Sequence, residues 1–208
     1  MTKVDNLTKE QAKVWNAIAP EWNQYKEIPS KLSEEFLSKQ KGNVLDLGSG
    51  SGRHLTKIKN GEMFLVDFSD EMIKLAEQKA KKLKVPAKFH VADMAKLPFE
   101  DNLFDGAISI SALHCTPKSQ HKKIVKELYR VLKPKAKALI GVWNQKSKRF
   151  RNTKEKEKYI GWTDKGKRYY YLFDEPEVHK LFTNAGFKIL SSHNSEMMIN
   201  FIIQKPGK

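Results

Sequence analysis

The stretch Gly48-Ser49-Gly50-Ser51-Gly52 stands directly behind a short apolar segment, Asn43-Val44-Leu45-Asp46-Leu47. No other feature constrains the fold as much. A brief apolar run closed by glycine reads as a buried strand. The glycines permit a tight turn and close approach of the backbone to a ligand. Apolar spacing through His54, Leu55 and Ile58 predicts a helix after the loop, its N-terminus aimed at negative charge. The alternation then repeats, with a strand over 63–66, a helix over 70–81 and strands at Ala87–Val91 and Phe104–Ile110. A helix over 120–132, stopped by Pro134, and a strand over 138–143 complete it. At the N-terminus, Val14, Trp15, Ile18 and Trp22 mark a helix broken at Pro20, and a second helix spans 30–39. Asp174-Glu175-Pro176-Glu177 opens a helix that ends at Ala185-Gly186. Strands over 188–192 and 197–204 can then pair antiparallel. This order predicts an α/β fold, a Rossmann-like seven-stranded sheet, mostly parallel with an antiparallel last strand and helices on both faces. The 208 residues form a single domain, in which 1–40 is a helical cap and 145–168 an insertion.

Ligands of such sheets bind beyond the carboxyl ends of the strands, so the residues after each strand come next. Arg53 stands where a dinucleotide fingerprint needs its third glycine, which disfavours a nicotinamide enzyme. A phosphate loop ending in Gly-Lys-Ser/Thr is also absent. Asp67 follows the second strand, 21 residues beyond Asp46, a distance at which an acid can accept both ribose hydroxyls of a nucleoside. Asp93, after the third strand, either accepts from an adenine amino group or is an ordinary loop carboxylate. Phe68 and Met94 offer apolar faces to a base.

Three acids after three consecutive strands, with this glycine loop, resemble the class I S-adenosylmethionine (SAM)-dependent methyltransferases over about residues 40–205. Leu97-Pro98-Phe99 and Tyr129-Arg130-Val131-Leu132-Lys133-Pro134 agree. Lys135-Ala136 replace the Gly-Gly that usually follows in the family. The resemblance implies SAM as cofactor, held by Asp46, Gly48, Ser49, Gly50, Gly52, Asp67, Phe68, Asp93, Met94 and Ser109. Three further segments resemble the tRNA wobble-uridine methyltransferases, which methylate the carboxylate of 5-carboxymethyluridine in the anticodon loop. These are 14–20 (Val-Trp-Asn-Ala-Ile-Ala-Pro), 108–114 (Ile-Ser-Ile-Ser-Ala-Leu-His) and 168–173 (Arg-Tyr-Tyr-Tyr-Leu-Phe), the last paired with Val142-Trp143-Asn144-Gln145. An Arg and a Lys-Pro-Trp-Pro run of that family is replaced here by Tyr25-Lys26-Glu27-Ile28-Pro29.

A carboxylate acceptor is ionised at neutral pH and needs no general base, so catalysis reduces to positioning. By carry-over from the family, His114 and Arg168 orient it. The plainer alternatives are a structural histidine at a strand end, and a phosphate contact or solvated charge for Arg168. Lys26, Trp143, Lys148, Arg149, Arg151 and Tyr169 are the expected substrate and RNA contacts, with the tRNA anticodon loop as partner. The resemblance also implies a small zinc-binding activator subunit adding a strand at the sheet edge formed by Ala87–Val91.

The formal charge of +15 bears on the same question. Residues 146–168 carry ten Lys/Arg against three acids, +7 in 23 residues. Phe150, Tyr159, Trp162 and Tyr169-Tyr170-Tyr171 are interleaved, a composition suited to gripping looped nucleic acid. Solubility alone is the competing explanation. A quinone-type or other small-molecule methyltransferase would share the SAM site without needing this segment. A catalytically silent RNA-binding subunit is the third reading, and the complete acid set argues against it. Cys115 is the single cysteine, read as a small packed residue. It excludes a disulfide framework and fits a cytoplasmic location. The remaining histidines, 54, 90, 121, 179 and 193, show no metal-ligand spacing. No apolar run reaches membrane-spanning length, and the first residues lack a signal peptide's apolar stretch.

Overall fold

The computed structural model describes residues 3–25 and 27–207, the side chains of residues 3–6 excepted. The elements in order are α1 (Lys3–Tyr25), α2 (Lys31–Leu37), β1 (Val44–Leu47), β2 (Met63–Asp67), α3 (Asp70–Leu83), β3 (Ala87–Val91) and β4 (Phe104–Ile110). A 3-10 turn (Leu113–Cys115), α4 (Lys118–Val131), β5 (Leu132–Trp143), β6 (Glu157–Gly161) and β7 (Lys167–Tyr171) follow. The chain ends with α5 (Glu175–Thr183), β8 (Lys188–Ser192) and β9 (Met198–Gln204). Among the described residues seven strands form one sheet in the order β3-β2-β1-β4-β5-β9-β8, and β6 pairs with β7 in a separate hairpin. The first five strands of that order are parallel, and β9 runs antiparallel to both its neighbours. The expected sheet is therefore present. Strand order reverses between β1 and β4, and a crevice opens at their carboxyl ends.

The period of two sorts the strands between two layers. Leu45, Leu47, Phe64 and Val66 face the layer that includes Ile124, Val125 and Leu128 of α4 and Val178 and Phe182 of α5. Val44, Met63 and Leu65 face Phe36 and Leu37 of α2 and Ala76 of α3. A third cluster joins Trp15, Ile18 and Ala19 of α1 to Met72 of α3 and Tyr170 of β7. Helix α1 thus lies across α3 and the hairpin as a roof beside the crevice.

Two sequence expectations are corrected here. No helix follows the glycine loop: residues 48–54 are turns and 55–58 run without regular structure to a bridge between Lys59 and Lys41. Gly42 donates to the Lys59 carbonyl at 3.0 Å, and a Cβ on Gly61 would sit 2.0 Å from the Gly42 carbonyl oxygen. That close pairing draws the chain out straight, and Leu55 and Ile58 still reach the apolar layer. Pro20 lies inside α1 rather than ending it. It removes one N–H from the helix ladder, while Trp15, Ile18, Ala19 and Trp22 on either side stay packed in the third cluster. Pro134 lies inside β5, in the irregular stretch where the register with β4 jumps from Leu132 to Lys137. There Lys135, at the first position of the missing Gly-Gly, adopts a φ of 68°, the left-handed conformation that glycine takes most easily.

Ser69 anchors the roof. Its hydroxyl caps α3 by accepting from the Met72 N–H at 3.1 Å and donates to Asn16 Oδ1 at 2.5 Å. Asn16 Nδ2 in turn donates to Asp70 Oδ1 at 2.5 Å. Replacing Ser69 with Ala removes a cap and a buried bond, a loss of about 1–2 kcal/mol. Thermal unfolding of Ser69→Ala should show a midpoint lower by ~2–8 °C.

Candidate cofactor and acceptor site

A cavity of about 800 Å³ opens over the carboxyl ends of the central strands. One arm is formed by the loop after β1, the end of β2 and the turn after β3. The loop is built by three left-handed glycines, with φ of 75° at Gly48, 54° at Gly50 and 74° at Gly52. The Gly48 and Ser49 N–H groups donate to the Val66 carbonyl at 2.8 and 2.9 Å. A Cβ on Gly48 would lie 2.2 Å from that of Ala112, whereas one on Gly50 would meet nothing within 4 Å. Gly48 is thus glycine for packing, and Gly50 leaves its space to the cavity.

Asp67 ends β2 inside this arm. Its Oδ2 accepts from the Gly50 N–H at 2.9 Å and its Oδ1 from the Ser69 N–H at 3.0 Å. Burial nevertheless raises its pKa to about 6, against the opposing effect of these two bonds. Gly48, Ser49, Gly50, Asp67, Phe68, Asp93 and Met94 all line the arm. Asp93 lies exposed at its mouth and accepts from the Ala95 N–H at 2.8 Å.

Asp46, Gly52 and Ser109 do not line it. Ser109 donates to the Leu47 carbonyl at 2.9 Å and braces β4 against β1. Gly52 packs behind the loop against Leu55 and Ala76. Asp46 is fully buried under the loop, on the face of β1 opposite Leu45 and Leu47. Its Oδ2 lies 3.3 Å from His54 Nδ1. Neither carboxylate oxygen nor either ring nitrogen has an aligned hydrogen-bond partner. Arg53 is pulled below its usual pKa by burial and held up by the charge of Asp46. Arg53 and His54 line the cavity themselves. Sequence reasoning noted Arg53 only for the glycine it displaces and His54 only as helix and non-metal, although both adjoin the loop.

The second arm is aromatic. Trp143, at the end of β5, stacks on Tyr170 at 4.2 Å and on His114 at 4.9 Å. The Trp143 backbone N–H donates to His114 Nδ1 at 3.0 Å, which places the histidine proton on Nε2. Burial lowers the His114 pKa to about 3. His114 is therefore a neutral donor at working pH, not a cation. Burial pushes the Cys115 thiol far up, and its Sγ lies 3.4 Å from the Ser111 carbonyl. It is no nucleophile.

Arg168 is buried, and its guanidinium carbon lies 4.8 Å from the ring centre of Trp162, 5.3 Å from Trp22, 5.3 Å from Tyr170 and 5.8 Å from Trp15. The solvated-charge reading is thereby excluded. Alternation along β7 sends Arg168 and Tyr170 to this side and Tyr169 and Tyr171 into the core. Tyr169, expected among the RNA contacts, is buried on the far side against Tyr159 at 5.5 Å. Tyr170 lines the cavity in its place, and counting by two from Arg168 could have found it.

The basic segment is a folded hairpin and its approach, and much of its charge is internally engaged. Lys156 pairs with Asp174 and Glu177, Lys158 with Glu155, and Lys165 with Glu21. Glu21 also accepts from Trp162 Nε1 at 2.5 Å, tying the hairpin to α1. Phe150 is buried, and Tyr159, 55% exposed, presents an open ring. Arg149 covers Trp143 and Phe150 at 5.2 and 5.3 Å and lines the cavity. Lys148 and Arg151 are exposed but outside its lining. Lys26 lies outside the described residues. Among those residues no cluster suited to a metal ion occurs, and no helix is long and apolar enough to cross a membrane.

Residues 44–135 match a family model described as a methyltransferase domain. Over 136 residues the chain is 35% identical to the tRNA (carboxymethyluridine(34)-5-O)-methyltransferase of Arabidopsis thaliana, covering 63% of this chain and 32% of that protein. It is 32% identical over 153 residues to the 2-phytyl-1,4-naphtoquinone methyltransferase of Nostoc punctiforme, covering 64% of each. The chain spans less than two thirds of the length of these relatives. A SAM-dependent methyltransferase from Methanosarcina mazei superposes with a TM-score of 0.73 at 24% identity, over 87% of this chain and all of that one. A chain of the Haloferax volcanii complex between the Trm112 methyltransferase activator and a methyltransferase superposes with a TM-score of 0.71 at 19% identity, over 96% and 97%. Residues 44–135 match a methyltransferase domain, and the chain has the fold of solved SAM-dependent methyltransferases.

Proposed function

We propose that this chain transfers a methyl group from SAM to the carboxylate of 5-carboxymethyluridine at the wobble position of a tRNA anticodon loop. The observation that carries the reading is Arg168, a buried guanidinium that lines the same cavity as neutral His114 and has no carboxylate partner among the described residues. An acidic acceptor supplies the missing charge. When bound, SAM supplies an electrophilic methyl carried on a sulfonium. In this reading Asp67 accepts from its ribose hydroxyls, Phe68 and Met94 flank its base, and Asp93 accepts from the base's amino group. The open space at Gly50 fits the amino-acid end.

On the acceptor side the carboxylate is already the nucleophile, so no residue has to remove a proton. Arg168 and the Nε2–H of His114 orient it, and the stacked rings of Trp143 and Tyr170 exclude water. Trp143, Arg149, Lys148 and Arg151 grip the RNA. A partner adding a strand at β3 belongs to the same reading: β3 is an edge strand with Val91 56% exposed, and the Haloferax likeness supports it. A cytoplasmic location also belongs to this reading. The likeness to the Nostoc enzyme favours a second reading, a small-molecule acceptor in the same aromatic arm.

Three outcomes test the proposal. Asp67 is ionised at neutral pH and takes up a proton below about 6, so SAM affinity measured by calorimetry should fall between pH 7.5 and 5.5. Asp67→Asn should bind at least about tenfold more weakly, without that pH dependence. Labelled SAM with total tRNA, followed by nucleoside mass spectrometry, should yield the methyl ester of carboxymethyluridine; label found only in other nucleosides would sink the assignment. Replacing Lys148, Arg149 and Arg151 together by Ala should reduce the salt slope of tRNA binding by about 2. An unchanged slope would favour the small-molecule reading.

A further inference from the structure

The aromatic arm holds three polar atoms that the structure leaves unused. Trp15, Arg168 and Tyr170 line the same cavity and are 7%, 5% and 1% exposed. Trp15 Nε1, Arg168 Nε and Tyr170 Oη each lack a hydrogen-bond partner among the described residues. The guanidinium lies 5.8 Å from the ring centre of Trp15 and 5.3 Å from that of Tyr170. Buried donors are nearly always satisfied, and an unpaired one is costly to keep. Indole and guanidinium nitrogens only donate. Burial holds the Tyr170 hydroxyl protonated by raising its pKa, so it too has a proton to give. The carboxylate of Glu21 is already engaged by Trp162 and Lys165.

We propose that Trp15 Nε1–H, Tyr170 O–H and Arg168 Nε–H form a donor-rich, cationic recess that selects an ionised carboxylate over the corresponding amide and releases it once esterified. This rests on the proposed function and assigns Trp15 and Tyr170 a part in it. A carboxylate offers two oxygens with about four lone-pair sites and a full negative charge, matching three donors and one unpaired cation. An amide carries no charge to pair with Arg168 and turns an NH2 group toward two nitrogens that cannot accept, leaving only the Tyr170 oxygen to take it. In the reaction a carboxylate oxygen forms a bond to the methyl carbon as the carbon–sulfur bond breaks, the electron pair staying on sulfur. No proton moves. The product ester is neutral, so the same donors that hold the acid hold the product weakly.

The test is calorimetry with three free nucleosides, 5-carboxymethyluridine, its carbamoylmethyl analogue and its methyl ester, in the presence of S-adenosylhomocysteine. The acid should bind at least about tenfold more tightly than the other two. Trp15→Phe and Tyr170→Phe keep the rings; each should weaken acid binding about tenfold while changing amide binding less than twofold. In turnover they should raise KM more than they lower kcat. Equal affinity for acid and amide, or variants that weaken both alike, would overturn the recess, as would no acid binding at millimolar concentration. Methylation of tRNA alongside equal acid and amide affinity would overturn the recess and leave the proposed function standing. Acid-selective binding that both variants abolish, with no methylation of tRNA, would support the recess and overturn the RNA reading.

Discussion

A guanidinium held out of water is the interaction on which the acceptor side depends. Burying an isolated cation costs several kcal/mol. For Arg168 four aromatic faces offset part of that, each at about 0.5–2 kcal/mol, and the Gly161 carbonyl accepts from Nη2 at 3.4 Å. The rings come from separate parts of the chain: Trp15 and Trp22 from α1, Trp162 from the turn of the hairpin, Tyr170 from β7. Arg168 therefore fastens the roof to the hairpin. Gln11 adds to the same joint, donating to the Lys167 carbonyl at 3.1 Å and accepting from the Tyr169 N–H at 2.7 Å. The residue that closes the molecule there also lines the cavity and keeps one donor unpaired.

The two arms differ in how they treat charge. Around the glycine loop, acids are buried with backbone N–H groups to satisfy them, as at Asp67, or left to a neighbouring histidine and arginine, as at Asp46. In the aromatic arm the surplus is of donors. A cofactor with hydroxyls in the first arm and a separate acid in the second would complete both. His114 belongs to the second arm as a neutral group, because the Trp143 N–H claims its acceptor nitrogen and burial lowers its pKa to about 3.

The sheet was legible in the sequence because short strand-like runs alternate with helical spacing, β1 and β2 closing on Gly48 and Asp67, and β3, β4 and β8 have the expected bounds. The glycine loop and Asp67 were legible for the same reason. The stretch after Gly52 was not: Leu55 and Ile58 have helical spacing, but the pinned approach of Gly42 to Gly61 is a tertiary contact that spacing cannot report. Tyr169 was mistaken for Tyr170 because three consecutive tyrosines hide the alternation that a strand imposes. The charge count of 146–168 overstated what RNA could meet, since Lys156, Lys158, Lys165 and Arg168 are engaged within the fold. What remains, Arg149 over Trp143 at the cavity mouth, is smaller and better placed.

The central claim is that one cavity holds the cofactor at the glycine loop and an acid at Arg168. A crystal structure with S-adenosylhomocysteine and 5-carboxymethyluridine tests it most directly. The account predicts the carboxylate at hydrogen-bond distance, about 3 Å, from Arg168, with one oxygen facing the sulfur. A carboxylate turned to solvent, or a nucleoside bound outside the aromatic arm, would contradict it.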